Sequence, residues 1–145
     1  FLLFVDWPPA AAPRDEAPLT VGIVGDSPMA AVLRRLAGET GSGQTLRIVE
    51  NADPDEMAQQ CQVIFVAAEL GHLQRSEHPQ WKNLRWLQKH AVLTVGEDED
   101  FLAAGGVINF YIHDQRVRFE ISGGAVQRSG LSIRADLMRL ARVVD

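Results

Sequence analysis

Apolar residues fall in short runs separated by amphipathic and polar stretches. Residues 19–25 (LTVGIVG) are continuously apolar and rich in β-branched side chains, the pattern of a strand buried on both faces of a parallel sheet. Residues 62–67 (QVIFVA) and 91–95 (AVLTV) repeat that pattern, and residues 45–50 (TLRIVE) alternate as a further strand. Helical signals lie between these runs. Ser27 and Pro28 supply an N-cap and a first-position proline, and Met29, Val32, Leu33 and Leu36 follow at helical spacing, with glycines from 38 to 43 to close the helix. Asp53-Pro54-Asp55-Glu56 reads as a capped helix start. Residues 69–90 are predicted helical in two pieces broken at His78-Pro79, and residues 98–104 form a short helix closed by Gly105-Gly106.

The two ends depart from this alternation. Phe1 to Val5 reads as the tail of an apolar helix cut at its start and ending after Asp6, before a proline-rich loop over residues 7–18. Residues 107–112 and 117–121 flank the polar loop His113-Asp114-Gln115-Arg116 and predict an antiparallel hairpin. A terminal helix is expected from Ser132, with Ile133, Leu137, Leu140, Ala141 and Val144 on one stripe. Four βα units and a hairpin predict an α/β domain of three layers. Its sheet is mostly parallel, with a C-terminal antiparallel hairpin and terminal helix, in a single domain over residues 1–145.

Composition narrows the class. At 145 residues, 46% hydrophobic and 23% charged, the chain has enough apolar surface for a core without disulfides, and no apolar run is long enough to span a bilayer. A net charge of −5 argues against a general nucleic-acid binder, which needs a basic field to neutralise phosphates. The single cysteine, Cys61, excludes an internal disulfide framework.

Candidate chemistry is sparse. Gly25 and Ser27 sit where a strand-to-helix turn can hold phosphate, but the segment lacks both the dinucleotide-binding glycine pattern and the P-loop lysine. The acidic run Glu97-Asp98-Glu99-Asp100 suits the positive end of a helix dipole and lacks the remaining ligands of a calcium loop. His72, His78, His90 and His113 form no zinc spacing, and Ser76 lies in no nucleophile elbow. Trp81 and Trp86 are five residues apart and read as cover for the sheet. No catalytic residue, metal or cofactor is assigned.

The hairpin is the most informative segment. Ile108, Phe110 and Ile112, with Val117, Phe119 and Ile121, make one face apolar, whereas Asn109, Tyr111, Arg118 and Glu120 mark the other as polar. Pattern alone allows a solvated face, with a cross-strand ion pair worth under ~1 kcal/mol. It equally allows a hydrogen-bonding surface for a protein or small ligand.

Several segments together resemble the YfiR family. These are Phe4-Val5-Asp6-Trp7-Pro8, Val24-Gly25-Asp26-Ser27-Pro28, Cys61 to Val66, Leu93-Thr94-Val95-Gly96 to Phe101, Ala104-Gly105-Gly106-Val107-Ile108-Asn109-Phe110, Arg116-Val117-Arg118-Phe119-Glu120-Ile121 and Leu137 to Arg142. The resemblance implies a secreted periplasmic α/β protein that is not an enzyme. It would bind the periplasmic sensor domain of an inner-membrane diguanylate cyclase of the YfiN type, repressing cyclic-di-GMP synthesis and biofilm formation. It further implies sequestration by a YfiB-type outer-membrane lipoprotein, a capacity to dimerise, and a signal peptide that precedes the mature chain. This sequence departs from members with internal disulfides, since Cys61 is alone, and the stretch from His72 to Trp86 is particular to it. On this reading Asn109, Arg116, Arg118 and Glu120 form the partner-binding surface and Trp7 a second contact. The rival expectations are a small-ligand sensor for another membrane receptor, such as a histidine kinase, and a nucleotide-dependent enzyme using Gly25 and Ser27.

Overall fold

The computed structural model describes residues 5–6, 19–24, 31, 35, 46–50, 54–66, 84–97 and 101–144. In chain order the strands are β1 (Val5–Asp6), β2 (Leu19–Val24), β3 (Leu46–Glu50), β4 (Val63–Val66), β5 (Leu93–Gly96), β6 (Ile108–His113), β7 (Arg116–Ser122), β8 (Ser132–Ile133) and β9 (Arg142–Val144). The helices are α1 (Pro54–Gln60), α2 (Gly123–Ser129) and α3 (Ala135–Leu140), with a 3-10 helix over Arg85–His90. Seven strands form one sheet in the order β3-β2-β4-β5-β6-β7-β9, and β1 pairs with β8 apart from it. The pairs from β3 to β6 are parallel, β7 is antiparallel to β6, and β9 is parallel to β7. This is the mostly parallel α/β sheet that the apolar runs predict.

Every residue of β4 and β5 is buried, as expected for strands covered on both faces. Strand register divides their side chains between two clusters. Val21, Ile23, Val63, Phe65, Leu93, Val95, Ile108 and Ile121 pack with Ala125 of α2 and Leu131. Ile64 and Val66 pack with Met57 and Ala58 of α1, Leu84 and Leu87 at the 3-10 helix, and Phe101. Growth of the sheet reverses at β2, since β3 lies on one side of it and β4 on the other. The carboxyl ends of β2 and β4 are the usual ligand position in such a sheet. The turns that follow them, with Gly25 and Ser27, lie outside the described residues.

Several local expectations change. Val5 and Asp6 do not end a helix but pair with Ile133 and Ser132. The terminal helix expected from Ser132 is instead the sequence β8, α3, β9. Ala141 leaves the helix with extended dihedrals, and Arg142–Val144 joins β7 as an edge strand. Leu137 is buried as its stripe predicts, but Leu140 is 77% exposed. Residues 101–106 form successive hydrogen-bonded turns in place of a helix, with Gly105 at φ +108. Helix α2 went unanticipated because Gly123 and Gly124 are poor helix formers. It is held at its start by Ser122, whose Oγ accepts from the Ala125 N–H at 3.2 Å, and at its end by left-handed Gly130. Only the end of the helical stretch expected over 69–90 is described, as the 3-10 helix. Ala31 and Arg35 are helical and exposed, off the apolar stripe of their predicted helix, whose four stripe residues lie outside the described set.

The hairpin turn is tighter than the four-residue loop that the polar run suggests. His113 and Arg116 pair as strand ends, leaving Asp114 and Gln115 at φ 51 and 65. Two consecutive left-handed residues are the requirement of a type I′ turn, whose twist matches that of the strands. A glutamine there carries a Cβ penalty that glycine avoids. Gln115→Gly is expected to raise stability by about 0.5–1 kcal/mol after the entropic cost of glycine, read as an upward shift in the urea midpoint.

Candidate functional face

Period-2 alternation and register place one set of side chains on a common face at the end of the sheet. Asn109, Tyr111 and His113 of β6 lie opposite Glu120, Arg118 and Arg116 of β7. Arg142 of β9 lies opposite Glu120 from the other side. Side chains at such positions are neighbours. The sheet therefore gathers, from segments distant in sequence, a row of polar groups ending in three arginines.

Depth varies across that face. Arg116, Arg118 and Arg142 are exposed, and Tyr111 and Glu120 are half-buried. Asn109, expected on the displayed surface, is 1% exposed. The reason is its position: β6 is an interior strand, Asn109 is paired with Gly96, and the Phe101 ring fills the space a Gly96 side chain would take. The Asn109 Nδ2 donates to Glu120 Oε1 at 3.3 Å, while its Oδ1 is buried with no partner among the described residues. Asn109 thus acts beneath the surface, holding Glu120, and the exposed surface is built from the arginines.

That division sets the electrostatics. Glu120 is the one carboxylate that the register places on this face among the described residues, and Asn109 already engages it. No carboxylate among the described residues pairs with Arg116, Arg118 or Arg142. At the hairpin tip, His113 Nε2 and Asp114 Oδ2 approach to 3.3 Å, both well exposed, a geometry that contributes little. Among the described residues, the register places three arginines and one glutamate on this face of a chain of net charge −5.

The remaining buried polar groups serve the backbone. Thr94 Oγ1 accepts from the Val107 N–H at 2.9 Å, and Gln62 Oε1 accepts from the Thr20 N–H at 2.8 Å. Gln88 donates to the Gly105 carbonyl at 3.2 Å and accepts from Arg128 Nε at 3.0 Å, tying the 3-10 helix to α2. Burial pushes the Cys61 thiol up to about 11 against the lowering influence of Arg47, so it stays protonated at neutral pH. It packs where a Gly22 side chain would otherwise reach, as a small apolar residue. The His90 ring meets Trp86 edge-on at 6.1 Å. Among the described residues no cluster of His, Cys, Asp and Glu could hold a metal ion, and no helix is long and apolar enough to cross a membrane. Trp7, His72, His78, Trp81 and the acids at 98–100 lie outside the described residues.

Arg142 is the member of this face that sequence reading missed. The helical stripe around it masks the β-branched pair Val143-Val144, which is a strand signal.

Among solved structures, the chain is similar to a conserved domain protein from Vibrio cholerae O1 biovar El Tor N16961, with a TM-score of 0.60 and 11% identity. That likeness, over 87% of this chain and 54% of the other, is one of fold, and this chain spans about half the length of its neighbour. No curated protein matches. The YfiR/HmsC-like family model matches residues 1–142, from before β1 to the first residue of β9. With a match over nearly its whole length, the chain belongs to the YfiR/HmsC-like family.

Proposed function

We propose that this chain is a periplasmic regulatory protein that represses a membrane-bound diguanylate cyclase by binding its periplasmic sensor domain. Repression would lower cyclic-di-GMP synthesis and restrain biofilm formation. The YfiR/HmsC-like assignment supports the regulatory class. The single observation that carries the contact surface is the row of exposed arginines, Arg116, Arg118 and Arg142, at the end of the sheet, with no carboxylate partner among the described residues. Charged groups arranged on a rigid sheet end, open to an incoming surface, favour recognition of a protein. They hold no nucleophile with its base.

Mechanistically, such a repressor works by unequal binding. It must bind the inactive state of the cyclase more tightly than the active one, since equal affinities shift no equilibrium. Moving a sensor from 1:99 to 99:1 in favour of the inactive state requires a preference of about 10⁴-fold. An outer-membrane lipoprotein that binds the repressor competes with this equilibrium by lowering its free concentration, and self-association acts in the same direction if it covers the same face. Arg116, Arg118 and Glu120 contribute the contact, Asn109 fixes Glu120 from below, and Trp7 supplies a second contact.

Titration of the purified periplasmic domain of the cyclase into this protein tests the reading. A saturable complex is expected, and Arg118→Glu should weaken it by tenfold or more at an unchanged melting temperature. Arg118 is chosen over Glu120 because Glu120 accepts a hydrogen bond from buried Asn109, so reversing it would disturb the fold. No complex with the wild-type protein, or full affinity in Arg118→Glu, contradicts the assignment.

A further inference from the structure

We infer that the outer edge of β9 accepts an extended segment of a partner protein in which acidic and apolar residues alternate. The inference rests on the regulatory reading above and names the chemistry of the partner. Strand β9 ends the sheet in the order β3-β2-β4-β5-β6-β7-β9, and among the described residues no strand pairs with its other side. An unpaired edge offers a row of backbone donors and acceptors to an incoming strand.

The two faces at this edge differ in character. Arg142 shares a face with Glu120, and therefore with Arg118 and Arg116 two and four residues back along β7. Val143 is paired with Ile121 and lies on the opposite, core-facing side, yet it is 48% exposed because the sheet stops there. Leu140, just before β9, is 77% exposed, and it and Val143 are the exposed large hydrophobics among the described residues. An added strand would point alternate side chains to each face. A residue on the Arg142 side would meet the Arg142 guanidinium, which has no carboxylate partner among the described residues, with Arg118 and Arg116 one strand further in, a setting that favours a carboxylate. Those on the other side would cover Val143 and approach Leu140, which favours apolar residues. A second copy fits less well. Antiparallel pairing of two β9 edges would set a second group of arginines on the same face, and like charges facing one another across strands are unfavourable.

Fluorescence anisotropy with short labelled peptides tests the edge on the wild-type protein, independently of the cyclase. A Glu/Val alternating peptide is expected to bind at least tenfold more tightly than its Lys/Val counterpart, and to weaken as salt screens the arginines. Amide signals of residues 142–144 should shift in the NMR spectrum, and Arg142→Glu should reverse the peptide preference. Equal affinity for the two peptides, no binding of the Glu/Val peptide, or shifts confined to other parts of the sheet overturns the inference. Formation of a dimer through β9 in place of peptide binding also overturns it. If the edge fails while the cyclase domain still binds and Arg118→Glu weakens it, the regulatory reading stands without the strand addition. If the peptide binds and the cyclase domain does not, the edge stands and the identity of its partner falls.

Discussion

Phe101→Ala is expected to cost about 3–5 kcal/mol of stability, toward the upper end of that range for a buried aromatic. The ring is fully buried, and two of its neighbours are glycines with no side chain to move into the gap its loss would leave. Gly96 and Gly106 both lie against the ring. A Cβ built on Gly96 or on Gly106 would run into it. The aromatic side chain fills space left by two missing ones, and deleting it leaves a cavity bordered by bare backbone. The same geometry gives a change of sign that few other sites would produce. Gly96→Ala in the wild-type background overpacks against a rigid ring and should destabilise by about 1–3 kcal/mol. In the Phe101→Ala background the new methyl enters the vacated space and should recover part of the loss. Urea denaturation of the four proteins in this cycle measures the coupling. Additive effects would mean that the ring does not lie over Gly96. Gly22→Ala is a useful contrast, because the atom nearest its added Cβ is the terminal methyl of Met57, the mobile end of a flexible side chain.

Asn109→Asp is expected to destabilise by about 3 kcal/mol at neutral pH, although it changes a single amide to a carboxylate. The amide nitrogen now donates to Glu120 at 3.3 Å. The substitution removes that donor and brings a second negative group to the same place, inside the sheet, where solvent does not screen it. Two carboxyls so close share a proton. The native state of the variant then binds a proton that the unfolded chain takes up only near its ordinary carboxylate range. Its deficit should therefore be full at neutral pH and shrink as the pH falls toward that range. Thermal melts of wild type and variant at a series of pH values read the effect. A deficit that does not change with pH would mean that Asn109 and Glu120 are not in contact.

How far the sequence reveals this fold follows from how local each determinant is. β2, β4 and β5 are legible because continuous apolar runs such as Val63 to Val66 have few other uses. The hairpin is legible from alternation on both sides of a polar loop. The C-terminal stretch is not, because the spacing of Ile133, Leu137, Leu140 and Ala141 suits a helix equally well. What decides it is pairing with distant partners, Ile133 with Val5 and Arg142 with Glu120. The candidate face shows the same limit. Alternation assigns Asn109, Arg118 and Glu120 to one side of the sheet correctly. It carries no information about depth, so it could not place Asn109 inside and the arginines outside. Depth depends on which strands lie beyond β6 and on Phe101 covering Gly96, and both are set by the tertiary fold.

On the proposed function, this protein acts by occupying a surface on a membrane cyclase, with the arginine face as its own part of the contact. The most direct measurement is cyclic-di-GMP production by the full-length cyclase in proteoliposomes, with increasing amounts of this protein on the sensor-domain side. A saturable fall in synthesis that levels off near one repressor per sensor site is expected, with the curve displaced tenfold or more for Arg118→Glu. Synthesis that stays constant across the titration, or falls equally with the wild-type and Arg118→Glu proteins, would contradict it.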